Sequence, residues 1–384
     1  MHIAVNATYR LHGGGDVHLQ HLLLSWARTG VDREHTISLI TRSENIASLR
    51  PSLSESIKIY PIGGRFFNRA AKLAWEQLVL PRMVAGLRPD VLFSPANITP
   101  FKCSVPTVVA LRNAAPFCAS ATPALIGRLG WLRLKSLGAL MRASSFAASR
   151  VIFVSRYFKQ LFVERFGYPA ERGDVIYHGR DGLKREAMEP SQLERLGIRA
   201  PYLLSLAHLY SHKNIAALIE GYGLARHRLQ ARGLQLALVG KTGGAGYFQS
   251  LKDLIRKLGL EDWVLLPGGV PHKAIGPLLD GCDSFVFQST CENCPQTLIE
   301  ALAAGVVTAC SRAGVMPEIA GNGALYFDPF MPGEIADTLT RVSEDASLRT
   351  QLREKARQQA LLFPTWDEVG RLTVNSLERA VRGK

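Results

Sequence analysis

The sequence predicts an α/β chain built as two doubly wound parallel-sheet domains, and three observations predict it. Short aliphatic runs alternate with longer segments of helical period along the chain. The runs are apolar on both sides and bounded by Gly, Pro, Asp or Ser, as in strands of a sheet covered on both faces. The alternation restarts beyond about residue 190, and 384 residues suffice for two domains.

Taken in order, the first-half strands are Ile3–Asn6, Thr36–Ile40, Val91–Ser94, Thr107–Leu111 and Val151–Val154. Those of the second half are Tyr202–Leu206, Leu234–Val239, Val264–Leu266, Ser284–Phe287, Val306–Ala309 and Ala324–Phe327. Val17–Arg28, Asn214–Leu229, Tyr247–Leu258 and Pro295–Ala304 have helical length and period between them. The polar, charge-rich stretch Arg180–Arg199 lacks strand pattern and sets a hinge near 182–200. A helix at Asp367–Val381 follows Phe363-Pro364-Thr365-Trp366.

Composition removes several classes. Hydrophobic residues at 47% and charged residues at 20% exclude a disordered or fibrous chain. No run of about 18 apolar residues is present to span a membrane. Met1-His2-Ile3-Ala4-Val5-Asn6 reads as a first strand, without the basic start of a signal peptide. A soluble, cytoplasmic chain is expected. The six cysteines suggest no disulfide framework, and Cys291-x-x-Cys294 has no second ligand pair at zinc spacing, so they read as ordinary thiols near a site.

Charge is one-sided. Residues 1–190 carry 25 Lys+Arg against 13 Asp+Glu, while the rest are nearly balanced. Asp90 to Glu164 encloses no acid but nine cations. Such a half is drawn to a polyanion (nucleic acid, anionic lipid or a phosphorylated substrate), or is simply a solvated basic surface. No groove-reading or base-stacking module accompanies it, and no nucleic-acid partner is expected.

Three segments at strand ends suit an anionic ligand. Gly13-Gly14-Gly15 precedes a helix and lets backbone amides approach an anion, although a flexible turn would look the same and G-x-G-x-x-G spacing is not met. His208-x3-His212-Lys213-Asn214 places a lysine and two histidines before a helix, an arrangement suited to a diphosphate. Glu292 and Glu300 stand eight residues apart around Pro295. With Pro295 in the first helical turn, Glu292 lies outside the helix and Glu300 inside it. Both are expected to face solvent and to accept from hydroxyls of sugar or ribose, the plain alternative being one capping and one solvated carboxylate.

Glu292-x7-Glu300 leads into Ala301-Leu302-Ala303-Ala304-Gly305, with Met316-Pro317-Glu318-Ile319 and Tyr326-Phe327-Asp328-Pro329 downstream. This pattern resembles the C-terminal signature of retaining GT-B glycosyltransferases, and most closely the "group 1" domain of glycosyltransferase family 4. Val151-Ile152-Phe153-Val154-Ser155, Tyr177-His178-Gly179, His208-x4-Lys213-Asn214, Leu238-Val239-Gly240 and the Trp366 helix are similar to that family as well. The resemblance is strong from about 200 to 335 and looser before 150.

The resemblance implies a GT-B fold of two facing Rossmann-like domains with a cleft between them. Residues 1–185 with the crossover helix 366–384 would form the acceptor-side domain, and 186–365 the nucleotide-sugar domain. It implies a glycosyltransferase that moves a sugar from a nucleotide-diphosphate donor to a glycan or lipid-linked glycan with retention, in cell-envelope polysaccharide synthesis. Glu292 would contact the transferred sugar and Glu300 the ribose. Gly14, Gly15, Gly240, Asn293, Cys294, Pro295 and Thr297 would complete the donor site. Lys213 matches the lysine of the diphosphate clamp, His208 replaces its arginine, and Ala207 a glycine. Arg112-Asn113 stands where the family often has His-Asp; an arginine can stabilise negative charge but not act as a base. No D-x-D occurs, so no metal or other cofactor is expected. The alternatives are a non-catalytic protein that binds nucleic acid or an anionic surface, and a GT-B epimerase of UDP-sugars.

Residues 125–142 mix Leu, Trp and Met with Arg128, Arg133, Lys135 and Arg142. On a helix Arg128, Lys135 and Arg142 share a face and Arg133 does not. A basic amphipathic helix lies against anionic lipid, which would set the enzyme peripherally on the inner face of the cytoplasmic membrane. The alternative is a core-facing helix with a solvated basic side, and two internal glycines weaken any helix here.

Overall fold

The computed structural model describes residues 1–9, 14–63, 69–118, 127–183 and 190–383. Gly13, Leu125, Ile126 and part of the expected hinge therefore lie outside the described residues. Two compact units are present. One comprises Met1–Phe117, Leu132–Gly179 and Pro364–Lys384, the other Cys118–Trp131 and Arg180–Phe363.

The first unit holds a seven-stranded parallel sheet in the order β3-β2-β1-β4-β5-β6-β7. Its strands are β1 His2–Ala7, β2 Thr36–Arg42, β3 Lys58–Ile62, β4 Val91–Ser94, β5 Thr107–Leu111, β6 Arg150–Phe153 and β7 Gly173–Val175. β1 sits centrally, paired with β2 at Ile3↔Ile37 and Val5↔Leu39 and with β4 at Val5↔Phe93. Alternation along β1 sends Ile3, Val5 and Ala7 to one face and Ala4 to the other. The first face is covered by α1 (Gly14–Thr29) and by the helix that closes the chain, through Leu19, Leu22, Leu23 and Trp26 against Trp366, Val369 and Leu377. On the second, Ala4 packs with Ile40, Ile62 and Leu92 of the neighbouring strands and with Leu80 and Val84.

Sequence reading missed β3 and β7 for physical reasons. β3 carries Pro61 and exposes most of its side chains, which only an edge strand tolerates. β7 is three residues at the opposite edge, and its Asp174 looks like a loop residue until its partners are seen. Arg150 donates to Asp174 through two nitrogens, at 3.1 and 3.0 Å, and Ser376 Oγ donates at 2.6 Å. Burial would raise the Asp174 carboxyl, but these hydrogen bonds outweigh it and hold the group below its ordinary value.

Residues 125–142 were weighed as membrane-facing or core-facing, with two glycines against any helix. The described part forms helix α2, Arg128–Ala147, despite Gly130 and Gly138. Gly138 is buried, and a Cβ there would press on Pro116 and Phe117. Close packing therefore replaces the propensity that glycine lacks. Met141, Ser144 and Ser145 are buried while Arg128, Lys135 and Arg142 remain exposed, so one side faces the core and the basic side faces out. α3, Arg156–Phe166, follows β6; Ser155 caps it by accepting from Phe158 N, and Gly167 ends it at φ 66°.

The second unit repeats the plan as a six-stranded parallel sheet, β10-β9-β8-β11-β12-β13. The strands are β8 Tyr202–Leu206, β9 Gln235–Val239, β10 Val264–Gly268, β11 Ser284–Phe287, β12 Thr308–Ser311 and β13 Leu325–Phe327. β12 starts two residues later than the sequence suggests. Gly305 at φ 67° turns the chain, and Val306 and Val307 are buried in the approach to the strand. α4 (Ile215–Ala231) packs Leu218, Ile219 and Tyr222 into this core, and α5 (Gln296–Ala303) follows β11.

The closing helix, α6 (Trp366–Val381), belongs to the first unit. A capping box of Thr365 and Glu368 starts it. Trp26 Nε1 donates to Gly370 O at 3.2 Å, and a Cβ at Gly370 would strike Ser25 Oγ. Among the described residues no helix is long and apolar enough to cross a membrane.

Candidate functional site

In the second unit the predicted residues gather where strands end and helices begin. β8 runs out at Leu206, and the loop beyond it carries His208, His212 and Lys213 to the start of α4. Asn214 takes the left-handed conformation at φ 55° and donates through Nδ2 to Pro329 O, which fixes the turn into the helix. The loop lies against β9: Ala207 N donates to Val239 O at 3.1 Å and Leu209 N to Lys241 O at 2.9 Å. A Cβ at Gly240 would collide with Ala207 O, so only glycine lets these backbones touch.

β11 ends in the second loop. Gln288 Oε1 accepts from Ser205 Oγ at 2.9 Å, tying the two strand ends together within the buried core. Thr290 donates to His212 O through N at 3.1 Å and through Oγ1 at 3.0 Å. These bonds bring Glu292 to Lys213, and Lys213 Nζ forms an ion pair with Glu292 Oε1. Both partners are largely buried. Pro295 sits at the N-cap of α5 rather than in its first turn, with Glu292 outside the helix. Asn293 and Cys294 are buried between them, and Gln296 and Thr297 form the positive end of the helix.

Glu300 departs from expectation. Sequence reasoning set it facing solvent, yet its residue is only 2% exposed. Its neighbours on α5, Leu298, Ile299, Ala301 and Leu302, are all buried, and a helix apolar on both sides of a glutamate carries that glutamate inward. Neither carboxylate oxygen has a hydrogen-bond partner. His272 Nε2 lies 3.8 Å from Oε1. His272 was not anticipated; it stands just beyond β10, in a short turn with no motif of its own.

The local field is positive through lysine, not histidine. Burial, with Lys213 and Lys241 nearby, lowers the pKa of His208, so it is neutral at pH 7. Burial and Lys213 push His212 down to about 4, and its ring stacks on Tyr210. His208 therefore offers a neutral hydrogen-bonding group where an arginine charge would otherwise stand.

The sequence presents the cysteines as ordinary thiols near a site, and for two of them this is corrected: Cys118 is joined to Cys291 in a disulfide. A separation of 173 residues hides such a pair from any spacing argument. Cys294, Cys103, Cys282 and Cys310 are not joined in disulfides.

Gly14, Gly15 and Arg112 belong to the first unit. Gly14 and Gly15 open α1. Arg112 follows β5, where Asn97, left-handed at φ 62°, accepts from the backbone amides of Arg112 and Asn113 at 2.7 and 2.9 Å. His18, buried on α1, is held well below its ordinary pKa by burial first and then by the Arg112 charge.

Two family models match successive parts of this chain. The one described as "Glycosyl transferases group 1" matches residues 191–359, and "Glycosyltransferase Family 4" matches 12–181. The chain belongs to glycosyltransferase family 4. A relative, an uncharacterized glycosyltransferase of Methanocaldococcus jannaschii, is 26% identical over 95% of this chain and 94% of its own. Mannosylfructose-phosphate synthase of Agrobacterium fabrum is 27% identical over 54% of this chain, a match that spans about half (47%) of that relative. Among solved structures, Anabaena HepE in complex with UDP and glucose superposes with a TM-score of 0.74 at 20% identity, over 98% of this chain and 99% of that one. The fold is that of the GT-B glycosyltransferases.

Proposed function

We propose that this family 4 chain is a retaining, metal-independent glycosyltransferase. It moves a sugar from a nucleotide-diphosphate donor to a glycan or lipid-linked glycan, working peripherally at the inner face of the cytoplasmic membrane. The observation that carries the reading is Glu300: a buried carboxylate with neither oxygen in a hydrogen bond. Burying such a group without donors is costly, and a ligand diol supplies two. The ribose of a nucleotide is such a diol, and the family resemblance assigns it to this glutamate.

The remaining groups fit the rest of the donor. Departure of the nucleoside diphosphate breaks the bond from the anomeric carbon to the β-phosphate oxygen and leaves negative charge on that oxygen. Lys213 carries the compensating charge, with the positive end of α5 and neutral His208 beside it. Without donor Lys213 pairs with Glu292. Diphosphate competes for the lysine, and Glu292 is then released to accept from hydroxyls of the transferred sugar. Lys213 and the positive end of α5 thus offset part of the charge on the departing diphosphate.

Incubation with a panel of UDP-, GDP- and ADP-sugars and candidate acceptors, followed by nucleotide release and product analysis, tests the reading. Transfer from one donor in the presence of chelator, with the anomeric configuration kept, is the expected result. Sugar epimerised without transfer, or salt-sensitive nucleic-acid binding with no turnover, would replace it.

Glu300→Gln separates binding from folding. Removing a buried charge that accepts no hydrogen bond is expected to leave the ligand-free protein at least as stable in thermal melts. Losing a charged hydrogen bond to the donor should weaken its binding by ~1–3 kcal/mol, seen as a raised donor KM with kcat little changed. An unchanged donor KM would remove Glu300 from the site.

A further inference from the structure

The basic side of α2 does not simply face water. It forms one wall of an open groove of about 690 Å³ on the first unit, with the end of α3 and the turn at Phe117 forming the others. Lys135, Ala139, Arg142, Ala143 and Phe146 line it from α2, at the i, i+4, i+7, i+8, i+11 positions of a single helix face. Alanines at 139 and 143 keep the floor low, while Phe117 and Phe166 make an apolar flank. Leu132 lies within about 20° of the Ala139–Ala143 line at 100° per residue and is 54% exposed, so the apolar stripe runs on past the groove.

Charge in this groove is unbalanced. Arg142 and Arg165 both sit over the Phe166 ring, 5.7 and 5.5 Å from its centre. Among the described residues neither guanidinium is ion-paired with a carboxylate, and no acid lines the groove. Two like charges drawn to one ring repel each other until an anion enters. A guanidinium pair over an apolar flank suits phosphate joined to hydrocarbon.

We infer that the α2–α3 groove binds the phosphate headgroup of an anionic membrane phospholipid. Arg142 and Arg165 hold the phosphate, and the hydrocarbon beneath it lies along Ala139 and Ala143 toward Leu132. The inference gives a place to the membrane contact proposed above and does not depend on which sugar is transferred. Both arginines and both alanines are exposed, so replacing them leaves the core intact.

Flotation with phosphatidylcholine vesicles, with and without phosphatidylglycerol, tests it, and donor turnover with a soluble acceptor is followed on the same samples. The expected result is recovery with the anionic vesicles only. Arg142→Gln/Arg165→Gln should lower partitioning by about thirtyfold, at ordinary values for cations against anionic lipid. Ala143→Trp, which fills the groove at constant charge, should lower it comparably. Arg82→Gln/Arg133→Gln, two exposed cations outside the groove, should leave it unchanged. Equal loss in that control pair would reduce the effect to net charge and overturn the groove. Binding of inorganic or glycerol phosphate with no flotation would assign the site to a soluble phosphate, and absence of both would dismiss it. Turnover that persists through all these variants keeps the two readings separate.

Discussion

Truncation after Phe363 is expected to leave the first unit unable to fold. The deleted segment carries Trp366, Val369, Val374 and Leu377, all buried in the core that α6 shares with α1 and β1. Burial of side chains this size is worth about 1.5–3 kcal/mol each, so the four together supply on the order of 6–12 kcal/mol. A whole domain is stable by only about 5–15 kcal/mol. The loss also exposes the Trp26 indole, strips Ser376 and Arg379 from Asp174, and breaks the Arg28–Asp367 pair. Circular dichroism and limited proteolysis should show the N-terminal segments degraded while fragments from 190–363 persist. A soluble, active truncated protein would show that α6 is dispensable.

Lys213→Ala and Glu292→Gln are expected to lower kcat by about 10²–10³ each, the loss found when one group aimed at developing charge is removed. The reasons differ. The lysine variant leaves the departing diphosphate short of a cation, whereas the glutamine variant misplaces the transferred sugar. Because the two side chains pair directly, the double variant should lose far less than the product of the single losses. Strictly multiplicative losses would mean that they act independently.

The fold was legible because its strands are buried on both faces, and continuous apolar runs such as Tyr202–Leu206 and Thr107–Leu111 have few other readings. The edges were not. Lys58–Ile62 and Gly173–Val175 are stabilised by pairing and, at Asp174, by distant arginines, none of which leaves a local pattern. In the site, motif spacing found Lys213, Glu292 and Glu300, but their states came from tertiary contact. The Lys213–Glu292 pair needs β8 and β11 side by side. The burial of Glu300 could have been read from Leu298, Ile299, Ala301 and Leu302 around it. His272 and the Cys118–Cys291 bond carried no sequence signal, since each meets its partner only through the fold.

The place of α6 in the first unit has a consequence for the chain as the ribosome makes it. β7 is complete at Val175, but the helix that covers β1 begins at Trp366. At roughly 5–20 residues per second, some 10–40 seconds pass between them. Throughout that interval Ile3, Val5 and the inner face of α1 have emerged without Trp366, Val369 and Leu377, which complete their cover. Residues 190–363, synthesised in between, contain all six strands of their own sheet and can close first. The first unit can therefore complete its core only after the second has been made, although its strands come first.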